Sequence, residues 1–142
     1  MTGSFDADRP IYQQLAHRFR ERIVTGYWQP GERMASVRDL ALEYGVNPNT
    51  VQRALAELER EGLAIPERTS GRFITEDEVL LRSTKRQLAV EATEEWAKRL
   101  RALGLNRAEG AQLAAVVWTD NHEPNGHEPG KPDKPDKPDK GE

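Results

Sequence analysis

A short polar segment near the middle of the chain, residues 47–53, concentrates side chains that can form paired hydrogen bonds. It reads Asn-Pro-Asn-Thr-Val-Gln-Arg. Asn and Gln amides can bond bidentately to adenine, an Arg guanidinium to guanine O6 and N7, and a Thr hydroxyl to a base or a phosphate. The side chains that carry this chemistry are Asn47, Asn49, Thr50, Gln52 and Arg53. Their types predict hydrogen bonding to nucleic-acid bases.

Residue types suited to catalysis or metal binding are sparse. The chain has no cysteine, no Gly-rich phosphate loop and no Gly-x-Ser-x-Gly turn. Its three histidines, His17, His122 and His127, are too scattered for a tetrahedral metal site. We therefore expect no enzymatic activity, no metal and no other cofactor.

Strong start signals place residues 47–53 at the beginning of a helix. Asn47 is a good N-cap, and Pro48 suits the first helical position. A shorter helix is predicted before it, from the N-cap Ser36 to the turn at Gly45. Two such helices are typical of a helix-turn-helix, whose second helix enters a DNA major groove. In that second helix we expect Val51, Ala54, Leu55 and Leu58 to face the core, Asn49, Thr50 and Arg53 to face away from it, and Gln52 to lie at the margin.

Elements on either side of this motif complete a small domain. Apolar residues recur every four positions in an amphipathic first helix, at Ile11, Leu15, Phe19 and Ile23. After the motif, the apolar runs 63–65 and 73–75 predict two strands joined by a polar turn. That turn holds Arg68, Ser70, Gly71 and Arg72. A helix-turn-helix followed by a β-wing predicts a DNA-reading domain, with Arg68 reaching a neighbouring groove.

The charge of the chain is unevenly distributed. The formal net charge of −3 lies entirely in residues 119–142, which hold seven acidic residues and four lysines. Because the remainder is neutral, DNA binding must depend on where individual cations lie, and we expect specific binding with modest non-specific affinity. The candidate cations are Arg33, Arg38, Arg53, Arg68 and Arg72.

Residues 10–75 resemble the winged-helix domain of the GntR family of bacterial transcription regulators. The matching positions are 10–15, 26, 30–32, 36–41, 45–51, 54–55 and 59–63. The resemblance implies that Arg38, Asn47, Asn49, Thr50 and Arg53 contact operator DNA. With the residues singled out above, the candidate DNA contacts are Ser36, Arg38, Asn47, Asn49, Thr50, Gln52, Arg53, Arg68 and Arg72.

Three positions depart from the family pattern. Met34-Ala35 stands where Leu-Pro is usual, and Gln52 stands where a second basic residue is common. The wing reads Arg-Thr-Ser-Gly-Arg-Phe-Ile at residues 68–74, in place of Arg-Gly-x-Gly-Thr-Phe-Val. The first two departures bear on rigidity and on which bases are read, and the third on how deeply Arg68 inserts.

The chain after the wing is too short for the sensor domains of large family members. Residues 76–103 predict one long helix that Gly104 ends, with an apolar stripe of Leu81, Leu88, Ala92, Trp96, Leu100 and Leu103. Asn106 and Glu109 predict a capping box for a short last helix, whose apolar side is Leu113, Val116 and Val117. This two-helix appendage resembles that of the YtrA-like subfamily.

Two helices cannot enclose their own apolar stripe, so we expect the stripe to pack against a second copy of the chain. A two-fold dimer would present its recognition helices to half-sites about 34 Å apart on a palindromic operator. The resemblance implies a dimeric repressor, and many YtrA-like members repress transporter operons. The sequence leaves open two alternatives for a small-molecule effector of unknown identity: one that binds between the subunits, or none at all.

The sequence therefore predicts a mainly α protein with a small β-wing: an N-terminal winged helix-turn-helix followed by a short two-helix C-terminal dimerisation region. The expected boundaries are a disordered N-terminus at 1–9, the DNA-binding domain at 10–75, the dimerisation or effector region at 76–118 and a disordered Lys-Pro-Asp-rich tail at 119–142. No apolar run approaches the roughly 18 residues of a membrane span. We expect a cytoplasmic protein with no membrane partner.

Less specific interpretations of the same residues remain open. Residues 47–53 could begin an ordinary helix of a three-helix bundle, and Arg38 could pair with a nearby acid. Arg68 and Arg72 could be solvated wing charges. Trp96 and Trp118 could be anchors of a dimer core or rings that stack on a ligand. The alternative function is a winged-helix protein-interaction module that acts on another regulator.

Overall fold

Five helices and a two-stranded wing make up the protein in the computed structural model, which describes residues 4–118. The elements are α1 (Ile11–Val24), α2 (Val37–Tyr44), α3 (Pro48–Arg60), β1 (Ala64–Glu67), β2 (Gly71–Ile74), α4 (Glu78–Ala102) and α5 (Arg107–Val117). The predicted fold class, mainly α with a small β-wing, is confirmed.

Local hydrogen bonds begin and end the two helices of the turn motif as the sequence predicts. Ser36 Oγ accepts a hydrogen bond from the Asp39 N–H at 3.1 Å and caps α2. Gly45 ends α2 in the left-handed conformation, with φ 64° and ψ 40°, a backbone geometry that glycine adopts without a Cβ penalty. Asn47 Oδ1 then accepts from the Asn49 N–H at 2.8 Å and begins α3.

The wing is an antiparallel pair in which Ala64 lies opposite Ile74 and Glu67 opposite Gly71. The other edge of β2 is paired as well. The Met34 N–H donates to the Arg72 carbonyl at 2.8 Å, and the Ile74 N–H donates to the Glu32 carbonyl at 2.9 Å. Residues 32–34 therefore hold the wing from its second side, and β2 lies between two backbone partners.

One apolar core joins α1, α2, α3 and the base of the wing. The Phe19 ring lies 5.3 Å from the Tyr44 ring, edge to face, and 5.3 Å from the Trp28 ring. The largest fully buried side chains are Phe19, Leu15, Ile23, Leu40, Leu55, Leu58, Leu63, Ile74 and Val51. The apolar faces expected for α1 and α3 are thus buried, apart from Ile11, which is exposed at the start of α1.

Residues 4–9, for which the sequence predicts disorder, contact α1 in the structure. The Gln14 amide accepts from the Asp6 N–H and donates to the Asp6 carbonyl, both at 2.8 Å. Arg18 lies 4.1 Å from the centroid of the Phe5 ring, and Phe5 packs against the core. These contacts are made with side chains of α1 that lie 8 to 14 positions away along the chain, and no local pattern reveals them.

The long helix begins two residues later than the sequence predicts. Asp77 Oδ1 accepts from the Val79 and Leu80 N–H groups at 3.0 and 3.1 Å. Asp77 is therefore the capping residue, and Thr75 and Glu76 precede the helix. The described chain divides into two compact units between Val90 and Glu91, within α4.

The second unit contains the end of α4 and all of α5. Asn106 and Glu109 form the predicted capping box, with bonds of 2.9 and 3.1 Å. Gly110 is the buried residue of α5, and a Cβ there would lie 3.2 Å from Leu100 and 3.3 Å from Trp96. No residue of α4 is buried. The predicted tail at 119–142 lies outside the described residues.

Candidate nucleic-acid interface

The exposed side of α3 carries the polar residues that the sequence predicts to bond with bases. Asn49, Gln52 and Arg53 are exposed and Thr50 is half-buried, and we call these four residues the recognition surface. On the opposite side of the helix, Val51, Ala54, Leu55 and Leu58 are at most 1 % exposed. The core therefore holds α3 in one rotation about its axis, and the recognition surface faces outward.

Two of the candidate contacts, Ser36 and Asn47, use their side-chain oxygens to cap helices. Each cap leaves the remaining N–H groups of its helix N-terminus pointing outward beside the positive end of the helix dipole. Such N-termini bind phosphate groups. The side-chain oxygens of Ser36 and Asn47 are thus engaged with backbone N–H groups of their own helices.

Arg38 lies in the first turn of α2 and is exposed. Within residues 4–118 it has no ion pair, so the structural alternative of a nearby acidic partner finds no support there. Arg68 is likewise exposed, in the turn between the two wing strands. Arg33 is exposed beside the wing, where a Cβ on Gly71 would lie 3.3 Å from Arg33 Nε.

Arg72 differs from the other wing cation because it is bound to α3. Its Nε lies 2.5 Å from Glu59 Oε1, and its Nη2 donates to Gln52 Oε1 at 3.4 Å. Arg72 and Glu59 are each about a quarter exposed. The side chain therefore joins the wing to the recognition helix and is not the free solvated charge of the alternative interpretation.

Arg53 has an aromatic neighbour that sequence reasoning missed. Its guanidinium carbon lies 4.0 Å from the centroid of the Tyr12 ring on α1. Glu59, the partner of Arg72, was missed as well. Tyr12 lies next to the apolar stripe of α1 and Glu59 two turns along α3 from Gln52, but neither pairing follows from spacing within a single element.

The described residues offer little for a metal or an enclosed ligand. Within residues 4–118 there is no group of three or more His, Asp or Glu residues that could hold a metal ion. His17 pairs with Glu21 at 2.8 Å. An open groove of about 350 Å³ between α1 and α3 is lined by Gln13, Ala16, Arg20, Glu57 and Arg60, and its charged groups pair as Arg20–Glu61 and Arg60–Glu57.

A winged helix-turn-helix with an outward polar recognition helix defines a class of DNA-binding proteins. The family described as "Bacterial regulatory proteins, gntR family" matches residues 11–74. The chain is 37 % identical over 109 residues to the uncharacterized HTH-type transcriptional regulator YhcF of Bacillus subtilis (strain 168), covering 77 % of this chain and 90 % of that protein. The chain belongs to the GntR family, whose members are non-enzymatic DNA-binding transcription regulators.

Two further similarities refine this assignment. The HTH-type transcriptional repressor YtrA of B. subtilis is 43 % identical over 68 residues, covering 48 % of this chain and 52 % of YtrA. A solved GntR family transcriptional regulator from Listeria monocytogenes superposes with a TM-score of 0.70 at 36 % identity, covering 80 % of this chain and 96 % of that chain. The predicted membership of the YtrA-like subfamily is supported by these relatives.

None of the helices in residues 4–118 has the length and hydropathy that a bilayer crossing requires.

Proposed function

We propose that this GntR-family regulator is a homodimeric repressor that binds a palindromic operator in the cytoplasm. The observation that carries the proposal is the recognition surface itself. Its exposed amide and guanidinium groups lie on a helix whose opposite side is buried in the core. They can therefore contact base edges without rearrangement of the domain. The similarity to a relative named as a repressor supports the regulatory outcome.

Each candidate residue has a role in this proposal. Asn49, Thr50, Gln52 and Arg53 read base edges in the major groove. Ser36, Asn47 and Arg38 bind phosphates, the first two through the helix N-termini that they cap. Arg68 reaches the neighbouring groove, and Arg72 lies beside the DNA backbone while its pair with Glu59 holds the wing next to α3.

A mobility-shift titration against the DNA upstream of the protein's own gene tests the recognition surface. We expect Arg53→Ala to weaken binding about 5- to 150-fold, since a bidentate base contact contributes about 1–3 kcal/mol. Arg60→Ala is the matched control, because Arg60 is an exposed arginine at the far end of the same helix. If no native promoter fragment is retarded at low salt, the proposal fails and the protein-interaction module becomes the better explanation.

A second copy of the chain is proposed to cover the apolar side of α4 and α5. Val116, Val117 and Trp118 are 62–80 % exposed in the single chain, and exposed apolar area of this kind is commonly covered by a partner. Light scattering coupled to gel filtration tests the dimer. We expect Val116→Glu to give a monomer that loses operator affinity, and Ala111→Glu, on the other side of α5, to remain dimeric. A monomeric wild-type protein at micromolar concentration would contradict this proposal.

The proposal also covers the genes that the dimer represses and the effector that controls it. We propose that the dimer represses a transporter operon by occluding its promoter, and that a small-molecule effector binds between the subunits. Sequencing the DNA that co-purifies with the protein identifies the operator and its neighbouring genes. A reporter placed behind that promoter should become more active when the regulator is deleted, and unchanged or lower activity would argue against repression.

A further inference from the structure

The arginines of the DNA-binding domain differ in what they contact. Arg20, Arg60 and Arg72 each pair with a carboxylate. Arg53 instead lies on the face of the Tyr12 ring, and within residues 4–118 it has no ion pair. The recognition surface therefore carries an arginine that contacts an aromatic ring and, within the described residues, no opposite charge.

This difference matters for the hydrogen-bonding capacity of the guanidinium. A carboxylate neutralises the cation and occupies two of its N–H donors. An aromatic face attracts the cation through its quadrupole and contacts only the flat side of the group. The N–H donors at the edge of the Arg53 guanidinium, which form the fork that matches guanine or phosphate, are left available.

The position of the Tyr12 ring is set by α1. Tyr12 is half-buried, its hydroxyl accepts from Gln13 Nε2 at 3.3 Å, and the next turn of α1 carries the fully buried Leu15 and Ala16. Arg20 and Glu61 join α1 to the other end of α3. The ring is thereby held at a defined place beside the first turns of the recognition helix.

We propose that Tyr12 is a positioning residue for DNA recognition, which holds the Arg53 guanidinium extended and un-neutralised at the DNA-facing side of α3. A free arginine side chain loses considerable rotamer freedom when it docks. The ring limits that freedom before DNA arrives, so α1 contributes to operator affinity without a base contact of its own. The inference rests on the proposed role of Arg53 in reading DNA.

A double-mutant cycle on operator affinity tests the inference. Tyr12→Leu removes the aromatic face, Tyr12→Phe keeps it, and both are combined with Arg53→Ala. We expect Tyr12→Leu to weaken binding about 3- to 10-fold, Tyr12→Phe to bind within about 2-fold of wild type, and Tyr12→Leu to have no further effect once Arg53 is Ala.

Two results would overturn the inference while leaving the proposed function intact. One is a Tyr12→Leu substitution that lowers operator affinity by the same factor whether residue 53 is Arg or Ala, which indicates a general structural role. The other is a Tyr12→Phe substitution that lowers operator affinity as much as Tyr12→Leu does, which indicates a contact by the hydroxyl. If Arg53→Ala binds as wild type does, the proposed role of Arg53 fails and the inference fails with it.

A measurement on the free wild-type protein covers the case in which Tyr12→Leu does not fold. The Nε–Hε resonance of Arg53, assigned by its disappearance in Arg53→Ala, should be shifted upfield by the Tyr12 ring current, and Tyr12→Phe should retain the shift. An Arg53 resonance at the ordinary arginine position would overturn the inference.

Discussion

Arg72 in the second wing strand and Glu59 in α3 form an ion pair of 2.5 Å that joins the wing to the recognition helix. Both side chains are about a quarter exposed, so the pair is partly screened from solvent. The same arginine donates to Gln52 Oε1 at 3.4 Å, which turns the Gln52 amide NH₂ toward other partners. A wing cation thereby contacts one of the four residues of the recognition surface.

The Glu59 carboxylate is expected to restrain non-specific DNA binding. Glu59→Gln leaves the Arg72 charge uncompensated, so the salt dependence of binding to random DNA should steepen by about one in logarithmic slope. The free energy of unfolding should fall by less than about 1 kcal/mol, because the pair is not fully buried. Anisotropy titrations between 50 and 200 mM salt measure the slope. As a control, Glu57→Gln, which frees Arg60 on the same helix, should leave the salt slope unchanged. An unchanged slope in Glu59→Gln would show that Arg72 lies away from DNA.

Arg38 is expected to bind a phosphate. Arg38→Ala should weaken binding to operator and to scrambled DNA by the same factor and lower the salt slope by about one. Because Arg38 is exposed and no ion pair is lost within residues 4–118, the free energy of unfolding should change by less than about 0.5 kcal/mol. Parallel titrations of the two DNAs and urea melts provide both measurements. A loss confined to the operator would instead indicate a base contact.

We expect a glycine to be favoured at position 45 because φ is positive there, and not because a side chain would lack space. A Cβ at this position would meet no atom within 4 Å, while φ is +64°. Gly45→Ala should therefore cost about 1 kcal/mol of unfolding free energy through left-handed strain. Gly45→Asn should cost less, because Asn tolerates this conformation at a helix end. Urea melts of the two variants should rank in that order, and an equal loss in both would show that strain is not the cause.

Tyr44 is expected to make stability fall at alkaline pH. Burial raises the pKa of the Tyr44 hydroxyl from 10.0 to about 12, because the charged phenolate would be desolvated in the core. Since the folded-state pKa is the higher one, the stabilisation is complete below pH 10 and is lost as the pH rises toward 12. Urea melts at pH 7 and pH 11 measure this loss, which Tyr44→Phe should reduce.

The same variant should be nearly neutral at pH 7. Tyr44 Oη is buried and no group meets hydrogen-bond geometry with it in the described residues. The nearby Arg22 guanidinium also lies 4.1 Å from the centroid of the Tyr27 ring, so it keeps that contact when the hydroxyl is removed. We expect Tyr44→Phe to change the free energy of unfolding by less than about 1 kcal/mol. A large loss at neutral pH would reveal a partner for the hydroxyl.

The order of the elements and the starts of most helices could be predicted from the amino-acid sequence. Ser36, Asn47 and Asn106 cap their helices as expected, because a cap bonds to a backbone group two or three positions away. Helical periodicity likewise identified the buried side of α3. The sequence predicts the start of α4 two residues too early, because the apolar stripe does not reveal the capping bonds of Asp77.

The sequence by itself determined which residues of α3 are polar, where the helix begins and which face is apolar. Only the tertiary structure decided that Arg53 lies on Tyr12, that Arg72 pairs with Glu59 and that Gln14 holds the N-terminal segment. The physical reason is the range of the interactions. Caps and helical stripes depend on residues within one or two turns, whereas these contacts arise where α1, the wing and the N-terminal segment pack together, and packing is set by the whole core.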